Sequence, residues 1–118
     1  MKKGNRPYLL FIQDILLSMQ RILDYTEAMN LNAFEADQFT IDATLMNFII
    51  LGEATANIPE NLKKKYPNVP WREMKDLRNK VSHEYFGVDL SIVWHIITNF
   101  IPENKKQIEN ILQIERKS

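Results

Sequence analysis

The amino-acid sequence predicts an all-α protein, an up-and-down helical bundle of four to five helices in a single domain, residues 1–118. Three observations carry this: apolar residues recur at three-and-four spacing in every long segment, no stretch alternates as a strand would, and Pro7, Pro59, Pro70 and Gly87 fall at the ends of the periodic segments. A chain of this length buries roughly 65% of the surface its unfolded form exposes, enough for a core without disulfide or metal staples.

The first helix is predicted from Pro7, a favourable first-turn residue, to about Met29, with Tyr8, Ile12, Ile15, Leu16, Met19, Ile22 and Leu23 on one face. A short turn of helix over Ala33–Gln38 follows. Thr40 is the expected N-cap of the second long helix, whose buried stripe is Ile41, Leu45, Phe48, Ile49, Gly52 and Ala56 and which ends near Asn57. Pro59 to Pro70, with Lys63-Lys64-Lys65, reads as a short exposed helix and a turn. The third long helix begins at Pro70-Trp71 and stops at Gly87; Asp89 caps a fourth, carrying Leu90, Val93, Trp94, Ile97 and Ile101. Pro102 either kinks this helix or starts another, which uses Ile108, Ile111, Leu112 and Ile114, and Glu115 to Ser118 are expected to fray.

Composition excludes several chemistries. With no cysteine, the chain has no disulfide, thiol nucleophile, iron–sulfur cluster or thiolate zinc site, and a reducing cytoplasm is the expected location. Gly4, Gly52 and Gly87 stand apart, so no glycine-rich phosphate loop can be assembled. No apolar run approaches the roughly 20 residues that span a bilayer, and the start, Met1 to Arg6, reads as that of an unexported protein. No metal or cofactor is expected. Lys+Arg and Asp+Glu number 15 each, yet residues 1–60 hold four basic and eight acidic residues and 61–118 hold eleven and seven. Between Lys63 and His83 seven cations face only Glu73 and Asp76, a local surplus able to attract phosphate despite overall neutrality. Arg72, Lys75 and Lys80 are the candidate RNA contacts; the alternative is a solvated helix face.

The densest chemistry is Arg78-Asn79-Lys80-Val81-Ser82-His83-Glu84-Tyr85. A guanidinium grips phosphate with parallel hydrogen bonds, and an imidazole moves protons near neutrality. Together they suit RNA cleavage in which the 2′-hydroxyl attacks the adjacent phosphorus, with Arg78 stabilising the phosphorane and His83 transferring a proton. Five residues turn a regular helix by about 140°, so the two do not share a face. Either the helix loosens before Gly87, the side chains converge from the flanks of a cleft, or a symmetric dimer joins two motifs. His95 is the other histidine, read as structural. Trp71 and Trp94 read as core or interface anchors. Tyr85 alone would have a buried ring and a wet hydroxyl. Glu53, the odd residue on an apolar stripe, reads as a partly buried carboxylate paired with a base.

Leu51-Gly52-Glu53-Ala54, Ile58-Pro59-Glu60, Tyr66-Pro67, Val69-Pro70-Trp71, Leu77-Arg78-Asn79, His83-Glu84-Tyr85-Phe86-Gly87-Val88-Asp89 and Val93-Trp94 together resemble the HepT-like family of HEPN-domain proteins, over essentially the whole chain. The resemblance implies an all-α, metal-independent endoribonuclease, the toxin of a type VII toxin–antitoxin pair, working as a homodimer with its motifs near the twofold axis. The family's R-x4-H-x-Y falls on Arg78, His83 and Tyr85, with Asn79 the polar residue after the arginine and Ser82 and Glu53 in support. It further implies a minimal nucleotidyltransferase antitoxin that transfers AMP to Tyr85, where anionic bulk would block the cleft and repel RNA. Asp76, two residues before Arg78, departs from the family pattern; an ion pair from it to Arg78 or Lys80 would weaken phosphate attraction. The alternative function is a non-catalytic helical subunit presenting nucleotide or nucleic acid to a nucleotidyltransferase.

Overall fold

The computed structural model describes residues 7–117. Among them the chain forms seven α-helices and no strand: α1 Tyr8–Thr26, α2 Leu31–Glu35, α3 Gln38–Ala56, α4 Glu60–Lys65, α5 Trp71–Glu84, α6 Leu90–Asn99 and α7 Ile101–Arg116, with a 3-10 turn over Tyr85–Gly87. The four to five helices of the sequence reading are the five longest; α2 and α4 are the short turns it placed between them. Residues 1–6, read above for export, lie outside the described part, as does Ser118. No helix there is long and apolar enough to cross a membrane.

The core is laid down where the periodicity puts it. α1 packs against α3 and α7, and α3 against α5. Ile12, Ile15, Met19 and Ile22 of α1 are fully enclosed, with Tyr8, Leu16 and Leu23 at the margin. Leu45, Phe48 and Leu51 of α3 and Ile108 and Ile111 of α7 close the core against them. Trp71 is buried and its indole N–H donates to the carbonyl of Tyr66 at 2.9 Å, fixing the entry to α5. Trp94 is half-buried against Phe34, ring centroids 5.3 Å apart.

Three local expectations are corrected, and the choice left open at Pro102 is decided. α3 starts earlier than Thr40, because Asp37 accepts the Thr40 backbone N–H at 3.0 Å and is the N-cap, while Thr40 itself is buried in the first turn. α2 begins earlier as well, capped by Asn30. Ala56 and Ile114 face solvent, since each lies past the arc of helix that meets a neighbour. Pro102 starts a new helix, in the first turn of α7, where a missing N–H costs nothing.

The C-terminus does not fray at Glu115. Its buried carboxylate accepts from Tyr8 Oη at 2.8 Å, Lys65 Nζ at 2.8 Å and Tyr66 Oη at 2.5 Å. These donors, Lys65 first, hold its pKa down at about 2. One carboxylate thus ties α1, the end of α4 and the last turn of α7 together, and takes Lys65 out of the basic run.

Candidate nucleic-acid interface

The site is built on the seam between α3 and α5. Gly52 sits in the C-terminal third of α3 directly under Arg78: a Cβ built on it would lie 2.4 Å from the Arg78 Cβ and 3.0 Å from the Arg78 backbone nitrogen. Only a residue without a side chain lets the helices approach this closely. The approach sets Arg78 beside the residue after Gly52, and the Arg78 guanidinium donates through Nη1 to Glu53 Oε1 in a short ion pair. Glu53 is therefore paired with a base as its pattern implied, though exposed rather than partly buried, because it stands on the rim of α3 beside the seam.

Arg78 and His83 do not converge within one chain. α5 is regular through Glu84 and the tighter 3-10 geometry begins only at Tyr85, so the loosening considered for the segment before Gly87 comes too late to rotate His83 towards Arg78. At about 100° per residue, His83 shares the outward face of α5 with Arg72, Lys75, Asn79 and Ser82, away from the Trp71, Met74 and Val81 side that enters the core. All five are exposed. Lys80 lies off this face and pairs with Glu84 at 3.2 Å. Asp76 makes no ion pair with Arg78 or Lys80, whose carboxylate partners are Glu53 and Glu84. Among the described residues of the basic stretch, Lys64, Arg72 and Lys75 are the cations without an ion pair, Lys63 pairing with Glu60 at 3.7 Å. Arg72 and Lys75 line an open groove with Lys63 and Asn68, which Glu60 and Glu73 also border.

Tyr85 keeps its hydroxyl at the surface, as its pattern implied, but with a side-chain partner there. Its ring is half-buried, and its hydroxyl donates to Asp42 Oδ1 at 2.5 Å, the same oxygen that accepts from Gln38 Nε2 at 2.8 Å. The hydrogen bond to Asp42, followed by burial and the carboxylate's charge, raises the Tyr85 pKa, while the same bond lowers that of Asp42. Asp42 is the residue sequence reasoning missed. It lies 43 positions from Tyr85, and no local spacing signals such a pair. His95 stays on α6, its Nδ1 3.0 Å from the Asn99 amide and its ring edge-on to Phe100. No group of three or more His, Cys, Asp or Glu among the described residues is placed to hold a metal ion.

With the geometry in place, comparison with known proteins assigns the chain. The family model described as "Ribonuclease HepT-like" matches residues 15–111. The chain belongs to the HepT-like ribonuclease family. A protein of Methanocaldococcus jannaschii named "Putative RNase MJ0127" is 41% identical over 103 residues, 87% of this chain and 85% of that one. "Probable ribonuclease HepT" of Thermococcus cleftensis is 35% identical over 111 residues, 94% of this chain and 98% of its own. "Putative RNase TTE0752" of Caldanaerobacter subterraneus subsp. tengcongensis is 36% identical over 114 residues, 97% and 99% respectively. No solved structure matches. The HepT-like match spans α3 and α5, and so takes in both helices of the seam.

Proposed function

We propose that this HepT-like ribonuclease is a metal-independent endoribonuclease that cleaves RNA by attack of the 2′-hydroxyl on the neighbouring phosphorus, and that it is the toxin of a toxin–antitoxin pair silenced by AMP transfer to Tyr85. One observation carries the reading: a single helix presents an arginine held over Gly52 and, at the end of an exposed face with Arg72 and Lys75, a histidine with no partner among the described residues. Arg78 neutralises the phosphorane; its Nη2 and Nε donors remain for phosphate while Nη1 is held by Glu53. Glu53 is a positioning residue in this scheme. His83 moves the proton, Arg72 and Lys75 draw the RNA backbone onto the face, and Asn79 and Ser82 offer polar contacts beside it.

A homodimer supplies what one chain leaves apart. Phe39, Met46 and Ile50 form an exposed apolar stripe on one side of α3 that runs towards Glu53, and a stripe of this kind beside the site supports self-association there. Two copies would bring two Arg78 and two His83 side chains into one cleft, furnishing both the proton acceptor and the proton donor.

The deciding experiment is cleavage of single-stranded RNA by the purified chain with chelator present, with end-group analysis of the products. A 2′,3′-cyclic phosphate is expected, and loss of cleavage in both Arg78→Ala and His83→Ala. Chelator-sensitive cleavage refutes the mechanism. Absence of cleavage and of growth arrest, with Arg78 and His83 altering only affinity for a partner, returns the chain to the class of non-catalytic binding subunits. For the regulatory part, co-expression with a nucleotidyltransferase and ATP should add one or more AMP units on Tyr85; a label confined to another residue removes Tyr85 from that role.

A further inference from the structure

Phe86, immediately after Tyr85 in the 3-10 turn, is fully exposed, 102% relative to an extended reference, and its ring stands roughly perpendicular to that of Tyr85, centroids 5.4 Å apart. An aromatic ring left in water next to charged machinery calls for an occupant. It borders a recess of about 360 Å³ between the N-terminal half of α3 and the 3-10 turn, floored by Leu45 and Leu90 and walled by Gln38, Asp42 and Tyr85. That volume falls in the range of small-ligand pockets, about 300–1,000 Å³.

The polar groups select the ligand. No cation lines the recess, so it is not built for phosphate. Asp42 Oδ1 is taken by Tyr85 and Gln38, whereas Oδ2 has no hydrogen-bond partner among the described residues and remains an acceptor for an N–H. Gln38 retains its carboxamide oxygen. A flat, uncharged group with N–H donors on one edge and a π-face to stack is what these walls and this ring accept, and within an RNA-cleaving protein that group is a nucleobase. We propose that this recess is a nucleobase subsite, where one unstacked base of single-stranded RNA stacks on Phe86 and donates an N–H to Asp42. The subsite rests on the ribonuclease reading and deepens it: Tyr85 and Phe86 lie two and three residues beyond His83, so a base held here registers the neighbouring phosphodiester against the proton-transfer residue.

The test uses the full chain carrying His83→Ala, which leaves RNA intact, and fluorescence anisotropy with a short labelled single-stranded RNA. Loss of one base stack should weaken binding by roughly 5- to 150-fold in Phe86→Ala. Phe86→Trp should restore binding and show indole quenching, whereas Phe86→Leu, apolar but without a π-face, should not restore it. A set of RNAs with a single abasic position should reveal one position at which the parent protein loses affinity and Phe86→Ala loses nothing further. Equal affinity of Phe86→Ala and its parent, or rescue by Phe86→Leu, overturns the subsite. Weakening that coincides with a change in sedimentation mass overturns it too, since the ring would then serve a protein contact. Intact RNA binding with no effect of Phe86 removes the subsite alone; no RNA binding by any version removes the ribonuclease reading with it.

Discussion

Replacing Gly52 by alanine tests the seam on which the site depends. The new methyl would meet the Arg78 Cβ at 2.4 Å, where ordinary contact begins near 3.4 Å, so α5 must retreat by about 1 Å. Two effects oppose each other. Removing a helix-interior glycine favours α3 by about 0.5–1 kcal/mol, while overpacking a tight interface costs about 1–3 kcal/mol. Because the clash includes backbone atoms of α5, which cannot rotate away, the steric effect should win. A net loss of about 1–2 kcal/mol lowers the melting temperature of a domain this size by roughly 4–12 °C. Displacing the guanidinium by about 1 Å should cost cleavage on the order of a hundredfold. Thermal unfolding by circular dichroism, with single-turnover cleavage well below the melting point, reads both quantities. The clash is with a Cβ that alanine also has, so Gly52→Ala should destabilise the Arg78→Ala background just as much. Unchanged melting and cleavage in Gly52→Ala would refute the claim that glycine is needed for the approach.

Arg78→Ala and His83→Ala should each reduce cleavage by about 100-fold or more with little change in melting temperature, since neither residue fills the core. Glu53→Gln should lower kcat about tenfold without raising KM, because it frees the guanidinium to wander yet removes a negative charge near the RNA; a raised KM with normal kcat would contradict the positioning role. Glu115→Gln should cost about 1–3 kcal/mol at neutral pH by weakening three hydrogen bonds around a carboxylate whose cation partner is half-exposed. As the folded-state pKa of Glu115 is held at about 2, below its usual 4.5, its contribution is complete above pH 4.5 and fades as pH falls through about 2. Acid titrations of stability should therefore show the variant and the parent drawing together across that window. Asp42→Asn should lower the Tyr85 pKa towards 10.0 by removing the charged acceptor, a shift readable by ultraviolet titration against Tyr85→Phe.

The helices and their buried faces were legible because a 3.6-residue period is a local signal, and Ile12, Ile15, Met19 and Ile22 obey it without exception. The cap of α3 was misread because Asp37 and Thr40 are both good capping types, and only the path of the chain shows which lies outside the helix. Glu53 could be flagged as anomalous and expected to meet a base, but a partner 25 residues away has no periodic signature, and neither has Asp42 against Tyr85. Gly52 looked like one more small residue on a stripe; its purpose is visible only from α5 above it. Glu115 was assigned to a fraying end because tails usually lack partners, and three donors from distant segments reverse that tendency. The charge surplus was read as a sum, whereas pairing leaves fewer cations for RNA.

The Glu115 clasp also bears on where the molecule can breathe. It joins Tyr8 and Glu115, 107 positions apart, so neither α1 nor the last turn of α7 peels away before this part-buried ionic knot opens. α5 is fastened differently: it packs chiefly along α3, and an apolar gap of about 410 Å³ separates it from α6 and α7. Amide exchange should accordingly be slowest in α1, α3 and α7 and faster in α5. The helix bearing Arg78 and His83 is then a strut on one hinge line, with room behind it to tilt when a flexible polymer settles on its face.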